Sequence, residues 1–597
     1  MRFLDKSFDV VVVGGGLSGF CAAVAAARHG ANTALVHARP TLGGNASGEI
    51  RMHICGADDH MARANARETG IIEEIQLLNK HRNPTNSYAI FDTVLWEIAK
   101  QQPQLTLYLN TTMDAAQAQN GHVTSVSCYQ QTTETRLALF AKLFVDATGD
   151  GLLAALAGVP FQVGREAKST YGESYAPEAA DHYTMGNSLM FKARHTGHPV
   201  PFVCPDWAYR YSEEDLLNRG HGDATSGYWW VELGGGKLDV TEDYELLRDE
   251  LQKTVYGIWD HIKNSGEHQA DDLELEWMGC LPGKRESRRF VGEYVLTQMD
   301  CQNGRRFTDA VAYGGWPMDV HTVEGFLNGG SEPTIWIHLK DVYTIPYGCY
   351  YSQKVDNLYF CGRVISASHM AFASARVMAT CAVGGQAVGT AAAMAVHKQC
   401  TPHALCKHIN ELQQALLRDD CWLPGIERKD EQDIAPLCKA EASHTLMGYD
   451  VQNLLHGASR RIDDASNAWA GEVAKLPTVT LTLPEKMNVR TVSLLFDSNL
   501  SREITISINQ EVLGRQVQGT PPELVRDFTL LYLENGQEVG RQHVKQNWRR
   551  RCVIENESPI GCDQLQLLEF TTHGSSKIVI YEVRIHGDVE RNCLSVP

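Results

Sequence analysis

From Phe8 onward the apolar residues come in blocks. An unbroken apolar run at residues 10–13 is followed by a glycine turn, an alanine-rich stretch at 20–28, Gly30 and a second apolar run at 33–36. Short apolar runs bounded by turn signals read as strands buried on both faces, and the longer stretch between them as a helix. The opening therefore predicts one βαβ unit. Alternating segments at 105–109, 123–129 and 137–140 predict the short strands of a small antiparallel sheet. Residues 143–147 predict another buried strand, ending in the small residues Ala147, Thr148 and Gly149, where the chain can run close beside a ligand. Asp150 then stands where it would cap a helix, LLAALAG.

Between 161 and 343 the pattern changes. GYWWVELGGG, KRESRR and WPMDVH bring Trp, Tyr, Arg and His in place of βα alternation, and predict an inserted α+β domain that meets the substrate. The alternation resumes with a strand at 358–361, a Gly362-Arg363 turn and a long helix at 374–396, whose Ala and Gly content requires close packing against another helix or a ligand. After a helix at 404–417, the charged connector LPGIERKDEQD marks a boundary near Asp430. Beyond Leu476, TVTLTL, VSLLFDS, REITISI, FTLLYL, QLQLLEF and KIVIYEVRIHG alternate apolar and polar residues, the period-2 signature of an all-β sandwich. The expected class is α/β: a Rossmann-like dinucleotide-binding domain split over 1–160 and 344–430, an inserted substrate domain at 161–343, and a separable β-sandwich at 441–597.

With 597 residues the chain exceeds the ~100–200 residues of a single domain, in keeping with this division. Its 72 acidic against 54 basic side chains leave a formal charge of -18 and no long basic run, which excludes nucleic acid as an expected partner. No stretch approaches the ~20 apolar residues of a membrane span, and no signal peptide is visible. Sixteen cysteines without a CxxC pair read as reduced core cysteines of a cytoplasmic protein. His321 and Glu324, in HTVE, are not a metal signature by themselves, and no metal centre is expected.

Gly14, Gly16 and Gly19 in GGGLSG form GxGxxG directly between a strand and a helix, the context in which this motif binds a dinucleotide. The first glycine permits the turn, the second admits the pyrophosphate, and the third brings helix and strand together. The ribose acceptor at the end of the second strand, usually acidic, is here His37, whose neutral ring can accept one hydrogen bond.

These segments, together with GGNASGEIRMHICGA at 43–57, DATGDGLLAALAGVP at 146–160, PGKRESRRFVGEYVLTQMD at 282–300 and the Gly/Ala-rich block at 345–393, resemble the FAD-dependent oxidoreductase family, whose fold is like that of fumarate reductase flavoproteins. The resemblance implies FAD held by Gly14, Gly16, Gly19, Gly43, Gly44, Thr148, Gly149, Gly362 and Gln386, with His37, Arg39, Asn45 and Arg363 beside them as further candidates. GGNAS lacks the histidine that such reductases place there for covalent attachment, which implies noncovalent FAD. The tail, with NLLHGASRRIDDASNAWAG, resembles galactose-binding-like sandwiches, which implies either carbohydrate binding or a packing module.

A flavin enzyme still needs a proton acceptor and a means of orienting its substrate. His369, between the strand at 358–361 and the long helix, occupies a position at which the family also carries histidine, and is the first candidate base; His321 is the second. Arg288, with Arg285 and Arg289 in KRESRR, could bind an acidic substrate in a bidentate way. Asp319, Arg51 and His53 form a third polar group, and Trp229, Trp230 and Trp316 suit either a sugar platform or a core. The expected activity is hydride transfer between FAD and a small hydroxylated or carboxylated, possibly sugar-derived molecule. The alternatives are reduction of an activated C=C bond in an unsaturated acid, with a KRESRR arginine as proton donor, and a carbohydrate-binding protein with a structural flavin.

Overall fold

The structure, a computed structural model, describes residues 1–589; residues 590–597 of the expected sandwich lie outside the described residues. The N-terminal sheet is built from β1 (Arg2–Val13), β2 (Thr33–Val36), β3 (Leu105–Tyr108), β4 (Thr111–Gln119), β5 (His122–Gln130) and β6 (Thr135–Asp146), in the order β3-β2-β1-β6-β5-β4. A seventh strand, Leu358–Phe360, returns from far along the chain to lie parallel to the end of β6. β1 pairs in parallel with β2 at Val10↔Thr33 and with β6 at Val13↔Asp146, so the C-terminal ends of β1, β2, β6 and Leu358–Phe360 lie side by side. Ligands of open α/β sheets bind outside those strand ends. The segments expected at 137–140 and 143–147 are one continuous strand, because β1 itself runs long enough to pair with all of β6.

Helix α1 (Leu17–Arg28) is buried along almost its whole length by the helix Met378–Lys398. A Cβ added at Gly385 or Gly389 would stand 2.0 Å from the carbonyl oxygens of Ser18 and Ala22, so the small residues serve helix contact. That helix has 21 residues and a mean hydropathy of 1.3, long and apolar enough to cross a membrane, which corrects the expectation that no such stretch exists. It lies in the protein core, with 94% of its apolar window buried. The helix expected at 374–396 is also two helices, His369–Ala375 and Met378–Lys398, separated where Val377 adopts an extended conformation. Asp150 does not cap the following helix; Thr148 Oγ1 accepts from the Gly151 and Leu152 amides instead.

Between the two parts of this domain the chain forms short hairpins around the helix Tyr244–Asn264, whose apolar face meets Phe191, Trp230 and Leu273. The C-terminal region is one seven-stranded antiparallel sheet, which begins at Lys439–Ala442. Its long strands Val479–Phe496 and Arg551–Thr572 shift register between Thr482 and Met487, and such bulges bend the sheet around its own core.

REITISI is not a strand of that sheet. Residues 503–507 belong to no helix or strand; Thr505 Oγ1 accepts from the Ile54 amide at 2.9 Å, and Ile506 and Ile508 join the core of the first domain. The alternation arises because Ile504, Ile506 and Ile508 enter apolar cores while Glu503 and Thr505 between them are buried on polar groups of the first domain, a pattern that a strand gives as well. Buried guanidinium groups also cross this boundary: Arg460 donates to the carbonyls of Asn65 and Arg67 and to Thr69 Oγ1, and Arg550 Nε lies 3.0 Å from Asp420 Oδ2. The tail is therefore tied to the first domain by buried charges and apolar packing, and removing it would strand these charges and expose apolar core.

Candidate functional site

At the ends of β1, β2 and β6 lies a cavity of about 650 Å³. The glycine turn sets its floor. Gly14 has φ +109, and a Cβ there would lie 2.0 Å from the Ala147 carbonyl oxygen, so only glycine lets β1 and β6 end so close together. At Gly16 the nearest atom to an added Cβ is Gly44 Cα at 3.9 Å, which leaves the backbone open to the cavity. Gly43, Gly44, Asn45, Thr148, Gly149, Gly362, Arg363 and Arg39 also line it. Gly19 does not; an added Cβ there would meet the Gly14 carbonyl oxygen at 1.9 Å, so it acts by helix packing.

His37 lines the cavity, but both of its nitrogens are taken. Nδ1 accepts from the Gly15 amide at 3.0 Å and Nε2 lies 3.0 Å from the Thr41 carbonyl oxygen. Burial, and then Arg39, hold this imidazole down at about 3, so it is neutral and braces the glycine turn from behind. It therefore has no free acceptor for a ribose hydroxyl, contrary to the sequence expectation. Gln386 is likewise not at the cavity: its Oε1 accepts from the Ile71 amide at 2.8 Å, at the start of the helix Ile71–Arg82.

Of the expected catalytic residues, His369 and Arg288 lie off the cavity wall. His369 is buried as the first residue of its helix, with Nδ1 3.0 Å from Glu286 Oε1 and its amide on Glu166 Oε2. Glu286 also pairs with Arg289, so these charges form a closed buried network that locks the strand turn to the inserted region. Arg288 donates to the Asp150 carbonyl oxygen at 2.8 Å and lies over the Phe161 ring. The KRESRR segment is thus mostly satisfied by its own surroundings, and only Lys284 and Arg285 reach the cavity.

His321 does line it, wedged between Glu232 Oε2 at 2.6 Å and Asp319 Oδ2 at 3.1 Å. Both of its nitrogens are thus engaged by carboxylates, and neither is free to meet a substrate hydroxyl. Against burial, Arg285 and His321 bring the Glu232 carboxyl down to about 2. Arg376, in the break between the two helices, pairs with Asp319 at 2.9 Å, while its Nε has no partner. Trp316 Nε1 is also buried without a partner, and Trp229 and Trp336 complete this end of the wall; Trp230 belongs to the core instead.

Sequence reasoning named His53 but missed Cys55 and His60, which complete the group of titratable side chains nearest this end. His53, Cys55 and His60 converge, with the ring of His60 edge-on to Trp316 at 4.9 Å. Burial would raise the Cys55 thiol, but His53 and His60 bring it down to about 7. His60 is correspondingly raised to about 11 by Cys55 and Glu503, despite burial. The signal available was a His-x-Cys pair with a second histidine five residues on, in HICGADDH. Arg376, in ASARV, carries no comparable signal.

The cavity suits a dinucleotide. Gly16 offers a cradle that a side chain would fill, α1 points its free N–H groups at the glycine turn, and Arg363 Nη1 is buried there without a partner, a donor set that fits a pyrophosphate.

A family profile described as FAD dependent oxidoreductase matches residues 9–416. The tRNA uridine 5-carboxymethylaminomethyl modification enzyme MnmG of Geotalea uraniireducens (strain Rf4) is 41% identical over 90 residues, which cover 13% of this chain and only 14% of that enzyme. Among solved structures, a geranylgeranyl bacteriochlorophyll reductase-like protein from Thermoplasma acidophilum aligns with 70% of this chain and 86% of its own at 13% identity and a TM-score of 0.32. The family 32 carbohydrate-binding module of C. perfringens NanJ aligns with 26% of this chain and 97% of its own at 12% identity and a TM-score of 0.19.

Proposed function

Since the chain belongs to the FAD dependent oxidoreductase family, we propose that it acts on a small polar substrate bearing a carboxylate beside a hydroxyl, held at the Arg376 and Trp316 end of the cavity. FAD is its cofactor and, when bound, supplies the hydride-accepting or hydride-donating centre. Gly16, Gly44, Asn45, Thr148, Gly149 and Gly362 would line its path, with Arg39 and Arg363 facing its phosphates.

The observation that carries the substrate reading is the pair of unpartnered donors. A buried N–H without an acceptor costs ~1–3 kcal/mol, and Arg376 Nε and Trp316 Nε1 both stand at the same wall in that state. A carboxylate oxygen satisfies each of them, and the buried Arg285, itself paired with Glu232, lines the same cavity. The proton of the substrate hydroxyl passes to the Cys55 thiolate, whose charge His53 and His60 stabilise. This assignment replaces His369 and His321 as bases. The C-terminal sheet has a supporting role, through Thr505 on the Ile54 amide and Glu503 on His60. Every described cysteine is free, which suits a reducing cytoplasm.

The test is anaerobic mixing of the FAD-loaded protein with 2-hydroxy acids, sugar acids, their methyl esters and uncharged sugars, read by flavin bleaching. Bleaching by a free acid but not by its ester is expected. Equal bleaching by ester and acid, or by neutral sugars alone, would overturn the carboxylate assignment.

A further inference from the structure

Outside the wall of the flavin cavity, in the inserted region, four side chains bring one ligand atom each within 4.8 Å of one another. They are Glu213, His221, His261 and His268. Glu213 Oε1 lies 3.3 Å from His221 Nε2, 3.2 Å from His261 Nε2 and 3.1 Å from His268 Nε2, and the last two nitrogens are 3.0 Å apart. A tetrahedral zinc ion with bonds of ~2.0–2.1 Å has its ligand atoms ~3.3 Å from one another, so the observed separations are close to the edges of such a tetrahedron.

Hydrogen bonding alone does not account for this cluster. His221 Nδ1 lies 2.6 Å from the Arg219 carbonyl oxygen, which can only accept, so Nδ1 carries the proton. In the neutral ring the Nε2 lone pair then faces a carboxylate oxygen, and two lone pairs without an intervening cation repel. Protonating all three rings would satisfy Glu213 but place three positive charges around one carboxylate, with His261 almost fully buried. A divalent ion at the centre lets each imidazole remain neutral and turns every lone pair into a bond. The outward N–H of His221 on a backbone carbonyl is also the way ligating histidines are usually oriented.

We infer that Glu213, His221, His261 and His268 bind a structural Zn(II) ion. Three imidazoles and a carboxylate complete a four-coordinate site and leave no open position, which marks the ion as structural. It adds a tie between two pieces of chain that already touch through Tyr209 on Glu250 and Tyr211 on Thr254. Glu213 and His221 lie in a segment without helix or strand, while His261 is in the last turn of the helix Tyr244–Asn264 and His268 follows it. The same segment is anchored by Arg219 on the Gly325 and Asn328 carbonyls, and it leads into Trp229, whose carbonyl holds Arg285 at the cavity.

The experiment is metal analysis of the FAD-loaded protein after incubation with ZnCl2 and desalting, alongside Glu213→Gln, His268→Ala and Cys55→Ser. The first two positions are partly exposed, and bound FAD reports that each variant is folded. About one equivalent of zinc in the wild type and in Cys55→Ser, with at least a tenfold loss in the other two, is expected. Cobalt(II) in place of zinc should show the intense visible bands of a tetrahedral site in the wild type, a readout that holds even if a variant fails to fold. Absence of retained zinc and of those bands in the wild type would overturn the inference. So would zinc lost in Cys55→Ser and kept in His268→Ala, which would move the ion to the His53, Cys55 and His60 group.

Discussion

Glu503, from the C-terminal region, places its Oε1 2.7 Å from Nδ1 of His60 in the wall of the flavin cavity. The two residues are 443 positions apart, and the contact makes the tail part of the site's electrostatics. Glu503 is only 5% exposed in its side chain, so its negative charge is poorly screened and acts strongly on His60, and through His60 on Cys55.

Glu503→Gln should therefore weaken the imidazolium at His60 and, with it, the thiolate at Cys55. The half-point of Cys55 ionisation is expected to move up from about 7 by about one pH unit. Alkylation rate against pH, taken as the difference between each protein and its Cys55→Ser counterpart, reads this directly. An unchanged half-point would disconnect the tail from the site.

Gly16→Val should fold and yet fail to hold FAD. No protein atom lies within 3.9 Å of the added Cβ, so the fold tolerates it, whereas a branched side chain fills the pyrophosphate path. At least tenfold less FAD per chain after desalting, with the far-UV spectrum unchanged, is expected. Full flavin content would show that the cofactor takes another path.

His369→Ala should cost stability and leave the chemistry alone. The substitution removes a hydrogen bond to the buried Glu286 carboxylate, worth about 1.5–3 kcal/mol, while Glu286 keeps Arg289. A lower melting temperature with flavin reduction by substrate within a few-fold of wild type is expected. A hundredfold slower reduction at unchanged stability would restore His369 as the base.

Glu68 makes stability depend on pH. Burial, followed by Asp58, raises its carboxyl to about 8, so the folded state keeps a proton that the unfolded chain releases near its ordinary value of 4.5. Its stabilising contribution is complete below about 4.5 and is lost as the pH rises through about 8. Glu68→Gln keeps an oxygen for the Ala57 amide and Thr380 hydroxyl but does not titrate. The melting temperature of the wild type should fall more steeply than that of the variant between about pH 5 and 8, as thermal unfolding at fixed ionic strength would show. Parallel curves would remove Glu68 from the account.

What the residues settle alone is local. The βαβ opening, the GxGxxG turn and the long β-rich tail follow from short-range geometry: apolar runs choose strands, and Gly14 is demanded by a positive φ within one turn. The tertiary structure decided which ionisable groups face the cavity. His369 and His321 have the composition of a base, yet Glu286, 83 positions away, closes in the first, and Glu232, 89 positions away, together with the neighbouring Asp319 closes in the second. Cys55 gains its chemistry from His53 and His60, and His60 in turn from Glu503. The character of an ionisable side chain is set by the charges and burial within a few ångströms of it, and those neighbours are fixed by long-range packing.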